Sequence, residues 1–144
     1  MQQQSPRSEM ETEFNGAKLI LFVGRSLLVI ERDDIDTIPW PGHLDFPGGG
    51  REGEEDPEGC VLRETQEELG LVLIRRDLIW SRRVERSNGV SWFYVARLPD
   101  SAAAKIVFGD EGQGWFLMEP DRYPPHPRAI PHFADQLQAY LSAA

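Results

Sequence analysis

Residues 48–71 read GGGREGEEDPEGCVLRETQEELGL. After the glycines, Asp56 and Pro57 make a helix start: an Asp side chain accepts from the free first-turn N–H groups, and Pro tolerates the first helical position. Gly70 offers a left-handed stop behind Leu69. The spacing predicts a helix over 57–69 of about four turns. On its projection Val61, Leu62, Thr65 and Leu69 share one face, while Glu64, Glu67 and Glu68 share a neighbouring one. Local physics opposes that second face. Like charges four residues apart cost roughly 0.2–0.5 kcal/mol, and carboxylates near the negative end of the helix dipole are disfavoured by about 0.3–1 kcal/mol each. The cluster is either a solvated acidic face, the ordinary state of Glu, or a set of hard oxygen donors relieved by a divalent cation. Arg63, four residues before Glu67, either holds that carboxylate or forms a plain surface ion pair.

Outward from this stretch the chain alternates. Residues 18–23 and 27–30 are apolar and partly β-branched around Gly24-Arg25-Ser26, which predicts two strands and a tight turn. A polar loop follows, then a short strand over 43–46 and an irregular glycine turn at 47–50. Beyond the helix, 78–86 and 92–98 read as strands joined through Asn88-Gly89, a pair that favours a primed hairpin turn. Residues 105–108 and 114–118 read as further short strands around the GDEGQ loop. A Pro-rich connector leads to Phe133, Leu137, Tyr140 and Leu141 at helical spacing, an amphipathic last helix. Residues 1–13 have little to bury and are expected to form a loose arm ahead of one domain over 14–144.

Composition narrows the function. The chain has 144 residues and a formal net charge of −9. That balance excludes a surface built to neutralise a nucleic-acid polymer, which needs clustered Lys and Arg. The single cysteine, Cys60, excludes an internal disulfide and a Cys-rich zinc site, and inside a helix it is expected to be a structural thiol. His43, His126 and His132 lack metal-ligand spacing. Trp40, Trp80, Trp92 and Trp115 are core candidates, any one of which can instead stack on a base. No membrane span or secretory leader is expected, and a cytoplasmic protein is the default. Nothing in the sequence bears on oligomeric state.

The spacing itself points to a family. Gly49, five residues, Glu55, seven residues, then Arg63-Glu64-Thr65-Gln66-Glu67-Glu68-Leu69-Gly70-Leu71 resembles the Nudix box, G-x5-E-x7-R-E-U-x-E-E-x-G-U with U aliphatic. Every fixed position matches, and only Thr65 departs, at the first aliphatic place. At average residue frequencies such a match arises by chance on the order of once in a million sequences, which removes a fortuitous acidic domain from consideration.

The resemblance implies an α/β fold, the Nudix α/β/α sandwich with a mixed sheet between helices. It implies Mg²⁺-dependent hydrolysis, with Mn²⁺ as an alternative, of a nucleoside diphosphate linked to another group. Carried over by position, Glu64, Glu67 and Glu68 are metal ligands, and a backbone carbonyl of Gly48 or Gly49 adds to them. Arg63 and Glu55 support these carboxylates. The loop Asp110-Glu111-Gly112-Gln113-Gly114-Trp115 resembles one in MutT-like members that supplies a further carboxylate, making Glu111 an additional metal ligand or the base. Glu67, Glu111 and Arg63 are the expected catalytic residues, with the base left open among the carboxylates. Arg86, Ser87 and Asn88 stand where some subgroups carry a Pro or Tyr that marks ADP-ribose or dinucleoside polyphosphate hydrolases, so neither label applies. The short single domain and the Asp110–Gln113 loop lean toward a MutT-like nucleoside triphosphate hydrolase. The alternatives are a nucleotide-sugar hydrolase and a regulatory Nudix domain that binds a nucleotide without cleaving it.

Overall fold

Strand β1 (Gly16–Val23) is apolar on both faces, and its alternation sends Leu19, Leu21 and Val23 to one core and Ile20 and Phe22 to another. A strand buried on both sides belongs at the centre of a covered sheet. The computed structural model, which describes residues 13–143, places it there. Apart from Glu13, the arm expected over 1–13 lies outside the described residues.

The chain turns at Gly24, whose φ of 60° suits glycine, into β2 (Ser26–Glu31), antiparallel to β1. Short strands β3 (Leu44–Asp45) and β4 (Gly48–Gly50) pair with β2 and β1 respectively. Helix α1 (Pro57–Leu69) then crosses over. The hairpin β5 (Trp80–Arg86) and β6 (Gly89–Leu98) follows, and β6 runs parallel to β1 along its whole length. Strand β7 (Gly114–Met118) returns to β2, and helix α2 (Pro131–Ala143) closes the described chain. Val61 and Leu69 of α1 pack on one face of the sheet, while Phe133, Leu137 and Tyr140 of α2 pack on the other. The result is the α/β/α sandwich. No helix among the described residues is long and apolar enough to cross a membrane.

The register opens a cleft. Strand β2 meets β7 along 27–31, so β1, paired at Leu27, and β3, paired at Ile30, share its other edge. Strand β1 pairs with β2 only at Phe22 and Val23, while its first residues pair with β4. The two strands therefore diverge after the turn, and β3 and β4 line the gap.

Four local expectations change. Residues 48–50 form a strand rather than an irregular turn, because Gly48 lets the backbone lie directly against β1: a Cβ there would sit 2.2 Å from the Ala17 carbonyl oxygen. Strand β3 is shorter than 43–46. The hairpin forms, but Asn88 keeps a negative φ and only Gly89, at 128°, is positive, so the turn is not the primed type with two positive φ values. Residues 105–108 are not a strand. The Val107 and Gly109 N–H groups donate instead to the Leu69 and Glu68 carbonyls at 2.9 and 2.8 Å, satisfying the open end of α1.

Candidate active site

Helix α1 starts and stops as its sequence predicts. Asp56 Oδ1 accepts from the Gly59 N–H at 2.8 Å, and Gly70, at φ 69°, returns its N–H to the Gln66 carbonyl. This fixes the rotation of the helix: Cys60, Val61, Thr65 and Leu69 are buried in the sheet-facing core. Glu64 and Glu68 then point toward β4 and the cleft.

Arg63 organises the carboxylates. Its Nε and Nη2 form a bidentate pair with Glu55 at 3.0 and 2.8 Å, and Nη1 donates to Glu64 at 3.1 Å and Glu67 at 3.2 Å. Nη2 also reaches the Gly50 carbonyl at 2.9 Å. The guanidinium thus links α1 to the glycine strand, a geometry that a Lys ammonium lacks. These bonds hold the Glu55 carboxyl below its ordinary value. Glu67 stays 57% exposed in its side chain, whereas Glu64 is 14% exposed.

Glu68 is half-buried against the glycine strand. Its Oε1 accepts from the Gly48 N–H at 2.9 Å, yet burial outweighs this bond and the nearby Lys18, and pushes the carboxyl up from 4.5 to about 7. Burial raises Glu64 as well. A carboxyl whose charged form is disfavoured by seclusion is one that a cation stabilises strongly. Gly49 makes room for this packing, since a Cβ there would lie 2.6 Å from the Glu64 carboxylate.

Two adjoining hollows share these groups. One, of about 450 Å³, is lined by Gly48, Gly49, Gly50, Glu64, Glu68 and Glu111 together with Lys18, Arg32 and Asp45. The second, of about 310 Å³, gathers Glu52, Glu64, Glu67, Glu68, Asp110 and Glu111. The structure therefore brings Glu64, Glu67, Glu68 and Glu111 to one place, with Glu55 and Arg63 behind them. The Gly48 carbonyl receives Lys18 Nζ at 3.2 Å, and the Gly49 carbonyl receives Cys60 Sγ at 3.5 Å. Cys60 is buried and its thiol is pushed up to about 12, which makes it inert as a nucleophile. Trp80, Trp92 and Trp115 pack against the cores, while Trp40 is 39% exposed with a φ of 52°.

The donor set fits a hard divalent cation: carboxylate oxygens, secluded and crowded, beside a chain without Cβ atoms. Among the described residues no three His, Cys, Asp or Glu side chains already stand together as a complete metal cage.

The family model of the NUDIX domain matches residues 14–139. The chain belongs to the Nudix family. Over 76 residues it is 32% identical to an 8-oxo-dGTP diphosphatase of Haemophilus influenzae, a match covering 53% of this chain and 54% of that protein. The chain thus spans about half the length of that curated relative. A mutT/nudix family protein from Listeria innocua shares the fold with a TM-score of 0.73 and 24% identity, over 90% of this chain and 92% of the other. The MutT protein of Methanosarcina mazei does so at 0.72 and 16%, over 90% and 94%. A C. elegans Ap4A hydrolase does so at 0.68 and 18%, over 90% and 99%. At these identities the solved structures bear on the fold.

Within this Nudix frame several cleft residues escape the box motif. Lys18 is the lone charge in an otherwise apolar strand, and Asp45 is only 7% exposed. They meet at 3.0 Å, and Arg32 Nη1 joins Asp45 at 2.8 Å. Gln113 ties the Glu111 loop to β2, with its N–H on the Glu31 carbonyl and Nε2 on the Arg32 carbonyl at 2.8 and 2.7 Å. A charge inside an apolar strand was the one legible signal.

Proposed function

We propose that this Nudix protein is a pyrophosphohydrolase that cleaves a nucleoside diphosphate linked to another group, using Mg²⁺, with a nucleoside triphosphate as substrate. The observation that carries this is the convergence of Glu64, Glu68 and Glu111 on one cleft beside the glycine strand, although Glu111 lies more than forty residues from the other two. Glu64, Glu67, Glu68 and Glu111 hold the cation, and the 48–50 backbone packs against Glu64 and Glu68. When bound, the cation neutralises phosphate charge and orients water for in-line attack at phosphorus. Arg63 and Glu55 keep the carboxylates aimed into the cleft. The base that takes the water proton is Glu67 or Glu111: both border the second hollow, and neither is enclosed.

The Haemophilus relative named for 8-oxo-dGTP supports a triphosphate, including one with an oxidised base. The test is a panel of nucleoside triphosphates, oxidised triphosphates, dinucleoside polyphosphates and nucleotide sugars with Mg²⁺, scored for the released monophosphate, pyrophosphate and phosphate. Turnover of a triphosphate to monophosphate and pyrophosphate is expected. Binding without turnover of any compound would overturn the enzyme assignment in favour of a regulatory nucleotide-binding domain.

A further inference from the structure

Among the described residues Asp45 is the one acidic side chain that is fully buried, and a charge in such a place is kept only with partners. It has three. Its Oδ1 accepts from Lys18 Nζ at 3.0 Å and from the Phe46 N–H at 2.7 Å, and its Oδ2 accepts from Arg32 Nη1 at 2.8 Å. Lys18 extends the network: its ammonium also donates to the Phe46 and Gly48 carbonyls at 3.3 and 3.2 Å, so its three N–H donors are all used. Lys18 is itself well anchored. Its residue pairs with Gly48 in β4 and with Phe93 in β6, and its ammonium lies 5.7 Å from the centre of the Phe133 ring of α2.

These bonds converge on the corner at 45–48, where the Pro47 carbonyl accepts from the Leu19 N–H at 2.7 Å. Gly48 is engaged at both ends: its N–H donates to Glu68 Oε1 at 2.9 Å, and its carbonyl receives Lys18. At a φ of 132° it has the wide conformational range of glycine and no side chain to hold it. Its setting therefore comes from its partners, Lys18 on one side and Glu68 on the other. Lys18 does not supply an unopposed positive field there, because Lys18 lowers the Glu68 carboxyl while Asp45 raises it.

We propose that Lys18, held by Asp45, is a positioning residue of the cation site: by pinning the Gly48 carbonyl it sets the glycine backbone that in turn orients Glu68. This rests on the metal-dependent hydrolase reading above. A role through charge alone has the opposite sign. Removing an ammonium beside a cation site would tighten cation binding, whereas removing a clamp weakens it.

The experiment uses the full chain with Lys18→Met, Asp45→Asn, Glu68→Gln and the Lys18→Met, Glu68→Gln double variant, each checked by thermal melting. Mn²⁺ binding without nucleotide is measured by electron paramagnetic resonance, and hydrogen exchange of the Gly48 amide is followed by NMR in chelator. Lys18→Met should weaken Mn²⁺ binding roughly tenfold or more, as for groups that support a ligand. Its Gly48 amide should exchange several-fold faster while the β1–β6 ladder keeps its protection. Asp45→Asn should move both readouts the same way by less, and its Gly48 exchange carries the test if Lys18→Met does not fold. In the Glu68→Gln background, Lys18→Met should weaken Mn²⁺ much less than in the parent, because its effect passes through Glu68. Unchanged or tighter Mn²⁺ binding in Lys18→Met, or an undiminished loss in the Glu68→Gln background, would overturn the assignment. A parent protein that binds no Mn²⁺ would defeat the cation reading instead, and the Gly48 exchange would then decide the role of Lys18 by itself.

Discussion

Residues 48–71 and the loops at 32–43 and 109–114 face one another across the cleft, and they are held by different means. In the first region one guanidinium binds Glu55, Glu64, Glu67 and the Gly50 carbonyl, on a helix capped at both ends and seated on a buried core. In the second, position comes from hydrogen bonds spread along the loops, among them Gln113 to Arg32, Arg32 to Pro39 and Gly109 to the end of α1. The contrast separates carboxylates locked to one guanidinium from groups, Glu111 among them, that loops carry on a rigid frame.

The largest expected effect lies in the first region. Glu64→Gln and Glu68→Gln each preserve shape and remove a carboxylate, and each should lower Mg²⁺-dependent turnover by more than the roughly 10–100-fold typical of residues that merely support a ligand. Circular dichroism should remain that of the parent protein. Near-parental rates in either variant would erase the distinction between the two regions.

Next in size is Arg63. Arg63→Ala should cost roughly 10–100-fold in turnover, and Arg63→Lys should recover little of it, since an ammonium cannot span Glu55 bidentately while reaching Glu64 and Glu67. Full rescue by Lys would mean that charge alone, and not the fork, orders the carboxylates.

These two regions were also unequally legible. Asp56, Pro57 and Gly70 are local signals that act within a few residues of themselves, so α1 could be bounded from sequence, and the box spacing then named Glu64, Glu67 and Glu68. Strand β4 could not, because glycine carries no side-chain pattern and its pairing is dictated by β1, some thirty residues earlier. Ile106, Val107 and Phe108 have strand composition, but their segment caps α1 because unpaired carbonyls at a helix end compete for the same N–H groups. Lys18, Arg32 and Asp45 meet only because β1 and β2 splay, a tertiary fact that no spacing within one segment encodes.

A third prediction uses the seclusion of Glu68. Its carboxyl titrates near 4.5 when exposed in the unfolded chain and at about 7 in the fold, so between these values the native state binds more protons than the unfolded one. Stability then falls as pH rises through that window and levels off above it. Glu64 is displaced in the same direction, while Glu55, held low by Arg63, acts only below the window. Thermal melts in chelator should show this decline, Glu68→Gln should flatten it, and added Mg²⁺ should offset it above pH 7. His132, lowered by burial, pulls the other way in the same window, so the readout is the difference between parent and Glu68→Gln, and a parent melting temperature that follows the variant's across the window would contradict the seclusion of Glu68.

The smallest effect belongs to the second region and tests it most directly. Gln113 is exposed, and its Nε2 bond to the Arg32 carbonyl is the side-chain link between the Glu111 loop and the Arg32 wall. Gln113→Ala removes that bond but leaves the backbone bond from residue 113 to Glu31. Such a hydrogen bond contributes about 0.5–1.5 kcal/mol net, and less where water can replace the partner. The melting temperature should therefore move by no more than about 2–4 °C. With the loop loosened and the glutamates on α1 untouched, KM should rise a few-fold, in line with about 1 kcal/mol, while kcat stays close to its parental value. A Gln113→Ala protein as deeply impaired in kcat as Glu68→Gln would mean that Gln113 fixes Glu111 as firmly as Arg63 fixes the α1 glutamates, and the boundary between the two regions would then run through Gly109 instead of along the cleft.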